Sequence, residues 1–474
     1  MWAIFAPFFN LWSVSTDDSP LVSLMNSTAA RAHWSSRWAF ILATAGSAIG
    51  LGNIWKFPYM TGTNGGSAFV LIYLLCIVVI GVPLLMAETM LGRRGQENPV
   101  GSMQKMVTEA GASRLWVAIG FIGISGALII LSFYSVVAGW VLEYTLRAFQ
   151  GFAGMTNETA ASGFADLLAN PMRLIVWHTV FIVMTAFVVA NGVTSGIERA
   201  AKVMMPALFL IILLLLVYGA VAGDMSAAFQ FMFHFDLSAI KREVVFSAMG
   251  HSFFTLSLGM GAIMAYGSYL DQNTSIARTA FFVAIADTAI ALMAGLAIFS
   301  IVFAQGLEPA SGPGLILQTL PLAFSQMPFG AVVGPLFFIL IVFAAWTSSI
   351  SLIEPFAAFL IERFDMTRRS AVWGMATVVW LLGIAVALSF NEWSGFKLFN
   401  RGIFDLLDTL TTNIMMPLSG LLIAIFVGWV MKRAHVSEEM ALKGRFFKLW
   451  VIVLRYISPL AIVIIFLNII GVVS

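Results

Sequence analysis

The segment 45–59, AGSAIGLGNIWKFPY, sets Gly46, Gly50, Gly52 and Pro58 inside an apolar run long enough to cross a bilayer. Glycine lowers helix stability, and proline lacks an amide donor. Hydrocarbon offers no hydrogen bonds, so backbone unpaired at that depth must be buried in protein or line a cavity. The stretch therefore reads either as a midplane ligand site on a discontinuous helix, or as a kinked helix whose small residues permit close packing.

The rest of the chain is of the same solvent class. With 60% hydrophobic and only 10% charged residues among 474, an ordinary soluble domain is excluded. Apolar runs with charges at their ends occur at 38–62, 67–91, 115–147, 172–190, 196–222, 243–270, 276–305, 330–362, 370–391, 402–431 and 448–472. These eleven runs predict an all-α polytopic membrane protein. Placing the N-terminus inside puts 18 of the 25 Lys and Arg on that side and 7 on the other. The N-terminus is therefore expected in the cytoplasm and the C-terminus outside it. The single cysteine, Cys76, excludes an intrachain disulfide and a Cys-based metal site. No basic cluster of the nucleic-acid-binding kind is present. The apolar patch at 1–12 has no basic residue before it and Asp17, Asp18 and Pro20 after it, which makes it a poor signal peptide and Met25 an alternative start.

A second break decides how the first is read. In the sixth run, SFFTLSLGMGAIMAYGSY at 252–269, Leu258-Gly259-Met260-Gly261 echoes Ile49-Gly50-Leu51-Gly52. Five spans separate the two, so the second copy crosses in the opposite direction, the pattern of inverted repeats with a binding site at the breaks. Broken helices expose positive N-terminal ends that suit a carboxylate and freed carbonyls that suit a small cation. Asn53, Thr255, Ser257, Thr347, Ser348 and Ser349 add hard oxygen ligands of the kind an alkali cation prefers. The ionisable residues taken as intramembrane functional candidates are Glu88, His251, Asp287 and Glu354. Glu88 and Glu354 are read as anchors for unwound backbone amides, and His251 as either a satisfied core histidine or a ligand. Asp287, in mid-run, must face a cation or carry a proton.

At this point the chain resembles the neurotransmitter:sodium symporters. The resemblance rests on GLGNIWKFPY, NGGSAF at 64–69, FFTLSLGMG, GPGLILQTLP at 312–321 and WTSSI, in order and at the family's spacing. It implies two inverted five-helix repeats with broken first and sixth helices, plus one extra C-terminal helix. It also implies two sodium sites: the Ala48 carbonyl, Asn53, Thr255 and Asp287 for one, and the carbonyls of Gly46, Ile49 and Ala344 with the hydroxyls of Thr347 and Ser348 for the other. The implied substrate contacts are Ala48, Gly50, Leu51, Gly52, Ile130, Tyr134, Phe254, Thr255, Ser257, Met260, Ser348 and Leu352. The implied gates pair Lys56 with Asp405 on the outer side, and Arg31 with Glu362, supported by Trp34 and Tyr269, on the inner side.

Departures from the family pattern sharpen the expectation. Amine-carrying members have a carboxylate where this chain has Gly50, so a substrate bringing its own carboxylate is expected. Chloride-dependent members have glutamine, asparagine and serine where this chain has His251, Asp287 and Ala291, so no chloride is expected. The short loop at 157–159 and the absence of a twelfth run look bacterial, and an inner-membrane location follows. The expected organisation is a tail at 1–33, a ten-helix core at 34–431 and a loop with the eleventh helix at 432–474. The expected function is sodium-coupled import of amino acids, hydrophobic or aromatic, by alternating access. The alternatives are another small carboxylate-bearing substrate or an amino-acid sensor. The five histidines lack ligand spacing, which argues against an enzyme, and no repeated charged rings suggest a channel.

Overall fold

A computed structural model describes residues 33–235, 237–309, 314–442 and 444–469. Arg31 and most of the tail lie outside these residues. Among those described there is no strand, only an isolated bridge between Leu398 and Arg401.

Nine helices are long and apolar enough to cross a membrane: Ser67–Gly95, Arg114–Gln150, Pro171–Ala190, Val193–Ala222, Ile276–Ala304, Gly330–Phe364, Arg368–Leu388, Ile403–Val430 and Arg445–Ile464. A tenth span is the pair Arg37–Ala48 and Gly52–Thr63, bent by 48°. The sixth apolar run forms Arg242–Thr255 and Ala262–Gly267, neither of which is long enough to cross alone. In chain order the bent pair is the first span, the divided run is the sixth, and Arg445–Ile464 is the eleventh.

Local chemistry sets the ends of these elements. Ser36 caps the first helix by accepting the Ala39 amide at 3.2 Å. Between the second and third spans, Asn98 caps Pro99–Ala110 by accepting from Val100 and Gly101, and Gly111, with φ of 66°, ends it in the left-handed region. The third and eighth spans pack together most extensively. One cluster of buried apolar side chains lies around the third, fourth, fifth, eighth and ninth spans. A second lies around the second, sixth, tenth and eleventh spans, and the seventh contributes to both. Both halves of the broken first span belong mainly to the first cluster, with Ala48 and Phe57 in the second.

The second span meets the far half of the sixth at backbone distance. A Cβ at Gly92 would stand 1.9 Å from the Met264 carbonyl oxygen. Gly92→Ala is expected to push the two helices apart at a cost of about 1–3 kcal/mol. A lower thermal midpoint of the purified chain in detergent would show it.

Candidate functional site

The first break frees a set of carbonyls. Ile49 leaves the helix at φ −73°, ψ 100°, and the next helix begins at Gly52. The amides that would have continued the ladder go to side chains instead: Gly50 N–H donates to Asn53 Oδ1 at 2.9 Å, and Leu51 N–H to Tyr134 Oη at 3.3 Å. The carbonyls left behind collect hydroxyls from other spans. Ser348 Oγ lies 3.3, 3.1 and 3.4 Å from the carbonyl oxygens of Gly46, Ser47 and Ile49, and Ser257 Oγ donates to Ser47 O at 2.8 Å. Thr347 Oγ1 bonds the carbonyls of Phe343 and Ala344 at 3.0 and 3.1 Å, and its Cβ lies against Gly46. This is a cluster of neutral hard oxygens, the donor set of an alkali cation.

The second break spans residues 256–261, with Ser257, Gly259 and Gly261 at φ of 53°, 76° and 72°. Glu88, fully buried on the second span, accepts the Gly259 amide, as the anchoring reading expects. Beside it stands Asp287, also fully buried. Asn53 Nδ2 donates to Asp287 Oδ1 at 2.7 Å, to its backbone oxygen at 3.0 Å and to Thr255 Oγ1 at 3.1 Å. Thr255 Oγ1 reaches both carboxylate oxygens at 3.1 Å, and Tyr73 Oη reaches Oδ2 at 3.4 Å. The first, second, sixth and seventh spans thus converge on one carboxylate. Behind it, His251 is enclosed by the rings of Phe57, Phe69 and Tyr73. Neither of its ring nitrogens has a hydrogen-bond partner among the described residues, so it is not the satisfied core histidine that sequence allows.

Between the breaks lies a narrow cavity of about 20 Å³, lined by Ser47, Ala48, Gly50, Leu51, Gly52, Ile130, Tyr134, Phe254, Ser257, Met260, Ser348 and Leu352. As it stands it has room for about one water, so an amino acid must part these walls to enter. Thr255 is turned to Asp287 and is not among its wall residues. Ser47, which sequence reasoning did not single out, is. The wall combines backbone and hydroxyl groups with the apolar side chains of Ile130, Phe254, Met260 and Leu352.

The two ends of the cleft are closed differently. Lys56 Nζ lies over the Phe254 ring, 4.3 Å from its centroid, and makes no ion pair with Asp405. Asp405 is exposed in the first turn of Ile403–Asp408. At the other end Trp34 is buried edge-on to Tyr266 and Tyr269, with centroids at 5.3 and 6.1 Å. Its Nε1 donates to Tyr266 O at 3.1 Å. Tyr269 Oη donates to Glu354 Oε1 at 2.7 Å, and both Nη atoms of Arg368 bind the same carboxylate while its Nε donates to Val189 O at 2.8 Å. Glu354 is therefore one half of a buried ion pair, not an anchor for an unwound amide. Glu362 accepts from Asn98 N–H and Nδ2 at 2.7 and 2.8 Å. Glu198 accepts from Ser35 N–H at 3.0 Å and from the Ser35 hydroxyl, and also binds Lys202. Sequence reasoning missed Arg368, Asn98, Glu198 and Tyr73. The first was counted as a loop charge, and only Tyr73, a phenol inside an apolar run, carried a signal that could have been followed. Among the described residues no three His, Cys, Asp or Glu side chains gather as a metal site would require.

Comparison with known proteins places this geometry in context. The Sodium:neurotransmitter symporter family matches residues 31–161 and 163–474. An uncharacterised sodium-dependent transporter of Bacillus subtilis, YhdH, is 38% identical over 93% of this chain and 98% of its own length. A sodium- and chloride-dependent GABA transporter 2 of Macaca fascicularis is 25% identical over 76% of this chain and 67% of its own. The crystal structure of MhsT in complex with L-phenylalanine superposes with a TM-score of 0.86 at 40% identity, covering 92% of this chain and 99% of that one.

Gly50 is the tightest point of the cleft. A Cβ there would stand 2.4 Å from Ser348 Oγ and 3.1 Å from Tyr134 Oη. Gly50→Ala is expected to displace the Ser348 hydroxyl from the freed carbonyls and to cost about 1–3 kcal/mol. Faster hydrogen exchange at the Leu51 amide, together with a lower thermal midpoint, would report the disturbance.

Proposed function

The chain belongs to the sodium:neurotransmitter symporter family, and on that premise we propose that it imports a hydrophobic or aromatic amino acid with sodium, by alternating access and without chloride. The observation that carries the reading is the composition of the cleft. One side presents the Leu51 amide and the Tyr134 phenol, which suit a carboxylate, and the other presents Ile130, Phe254, Met260 and Leu352, which suit an apolar side chain. Methionine adapts to ligands of different shape. Among these wall side chains none carries a charge that would select a charged substrate side chain. The complex of MhsT with L-phenylalanine, at 40% identity, supports the same substrate class.

Sodium is a second substrate of the cycle. The carbonyls of Gly46, Ile49 and Ala344 with the hydroxyls of Thr347 and Ser348 form one proposed site. The Ala48 carbonyl, Asn53, Thr255 and Asp287 form the other. Both draw on groups that the helix breaks set free, so bound sodium and bound amino acid favour the same arrangement of the broken helices, and each raises the affinity for the other. Asp287 contributes a fixed carboxylate where chloride-dependent relatives are expected to need an anion.

Access alternates between the end covered by Phe254 and Lys56 and the end closed by Trp34, Tyr266, Tyr269 and the Glu354–Arg368 pair. With the N-terminus cytoplasmic, the Trp34 end faces the cell interior. The pairing proposed for the inner gate, Arg31 with Glu362, has Arg31 outside the described residues.

Proteoliposomes loaded with labelled phenylalanine, tryptophan, tyrosine or leucine outside and an inward sodium gradient are expected to accumulate at least one of them. Replacing external chloride by gluconate is expected to leave the rate unchanged. Loss of uptake in gluconate would refute chloride independence alone, whereas sodium-dependent binding without uptake would identify a sensor. Asp287→Asn is expected to weaken sodium binding about tenfold or more, since a charged hydrogen-bond acceptor becomes neutral. The sodium concentration giving half-maximal thermal stabilisation of the purified variant measures this directly.

A further inference from the structure

The eleventh span carries a charge that the transport site does not use. Arg455 is the eleventh residue of Arg445–Ile464 and lies within the apolar run at 448–472. A guanidinium in an apolar segment, level with the last residues of the tenth span, needs a partner. Part of one is present: Arg455 Nε donates to the Gly428 carbonyl, the guanidinium lies over the Trp429 ring at 5.2 Å, and Trp429 Nε1 donates back to Arg455 O at 3.2 Å. Gly428 permits this approach, because a Cβ there would stand 3.0 Å from Arg455 Cγ. Among the described residues neither Nη group of Arg455 has a hydrogen-bond partner or a carboxylate.

The surface around this guanidinium is graded along the helix. Arg445 and Lys448 are exposed at its start, Tyr456 stands edge-on to the exposed Trp429 with centroids at 5.3 Å, and Leu460 and Val463 are exposed beyond. Lys448 lies seven residues before Arg455, ~10 Å along the axis. Lys432 and Arg433 are exposed just past the end of the tenth span. The carboxylates of the connecting helix do not neutralise this face, since Glu438 binds Arg94 and Glu439 binds both Arg93 and Arg94.

We propose that the surface between the tenth and eleventh spans binds the phosphodiester headgroup of an anionic phospholipid. The free Nη pair of Arg455 matches two phosphate oxygens. Lys448 and Lys432 add attraction at headgroup depth, and Leu460 and Val463 continue the track along which an acyl chain lies. That apolar continuation is what favours a lipid over free phosphate, which would gain the guanidinium alone.

Native mass spectrometry of the full chain in detergent, titrated with phosphatidylglycerol or phosphatidylcholine, tests the site. Phosphatidylglycerol adducts are expected to exceed phosphatidylcholine adducts. Arg455→Gln is expected to lower phosphatidylglycerol occupancy about fivefold, Arg455→Lys to retain part of it, and Arg242→Gln, an exposed charge elsewhere, to leave it unchanged. Equal binding of the two lipids, or full binding by Arg455→Gln, overturns the proposal. So does inorganic phosphate that protects against heat as well as phosphatidylglycerol, because the site would then be a free-anion site. Where Arg455→Gln cannot be purified, Gly428→Ala decides: it crowds Arg455 without removing its charge, so reduced lipid occupancy supports the site and wild-type occupancy overturns it.

Discussion

Backbone that has left the helix inside a membrane must find partners, and most of this structure follows from that requirement. At Ile49–Leu51 and again at 256–261 the ladder stops, and the groups it abandons are met by Asn53, Tyr134, Ser257, Ser348 and Glu88. Each such bond contributes only about 1 kcal/mol net, but leaving its partner unpaired in an apolar setting costs more. The breaks therefore persist only while the second, third, sixth and eighth spans hold their side chains in place. Those same side chains line or adjoin the cleft. A ligand that adds oxygens or amides to this network acts on the arrangement of four spans at once, and this is how binding at a small cleft can bias a whole bundle.

The closures at the two ends rest on unequal interactions. Phe254 and Lys56 meet through one cation–π contact, a kind worth about 0.5–2 kcal/mol. At the other end an aromatic layer is joined to the Glu354–Arg368 pair, and Glu354 has no exposure to solvent. Separating a buried pair leaves an uncompensated charge, so this end resists partial opening and favours opening as a unit. Water entering with the opening would rehydrate both charges, so the full transition costs less than removal of either partner.

Much of this architecture is legible without coordinates, because membranes make the code simple. Span length follows from bilayer thickness, so among the described residues nine of the apolar runs coincide with helices able to cross, the first with the bent pair, and the sixth with the two short helices Arg242–Thr255 and Ala262–Gly267. The paired glycine motifs mark the breaks for two local reasons: Gly259 holds a φ of 76° against the Met416 carbonyl, and at Gly50 a Cβ would meet Ser348 Oγ at 2.4 Å. Charge partners are not legible in the same way. Glu354 is bonded by an arginine that returns across a loop, Lys56 takes a ring in place of Asp405, and Arg455 turns to a carbonyl on another span. Ser47 carries no signal of its own, because serine hydroxyls on membrane helices usually bond their own turn.

By itself, then, the sequence determined which segments cross the membrane, where two of them must break, and which oxygens stand nearest the breaks. These are properties of local composition acting against one uniform solvent. Only the tertiary structure decided which carbonyl each hydroxyl meets, that four spans share Asp287, and that the two ends close by different means. Those outcomes depend on distances between residues up to some three hundred positions apart, as with Ser348 and Gly46, and no local pattern encodes such a distance.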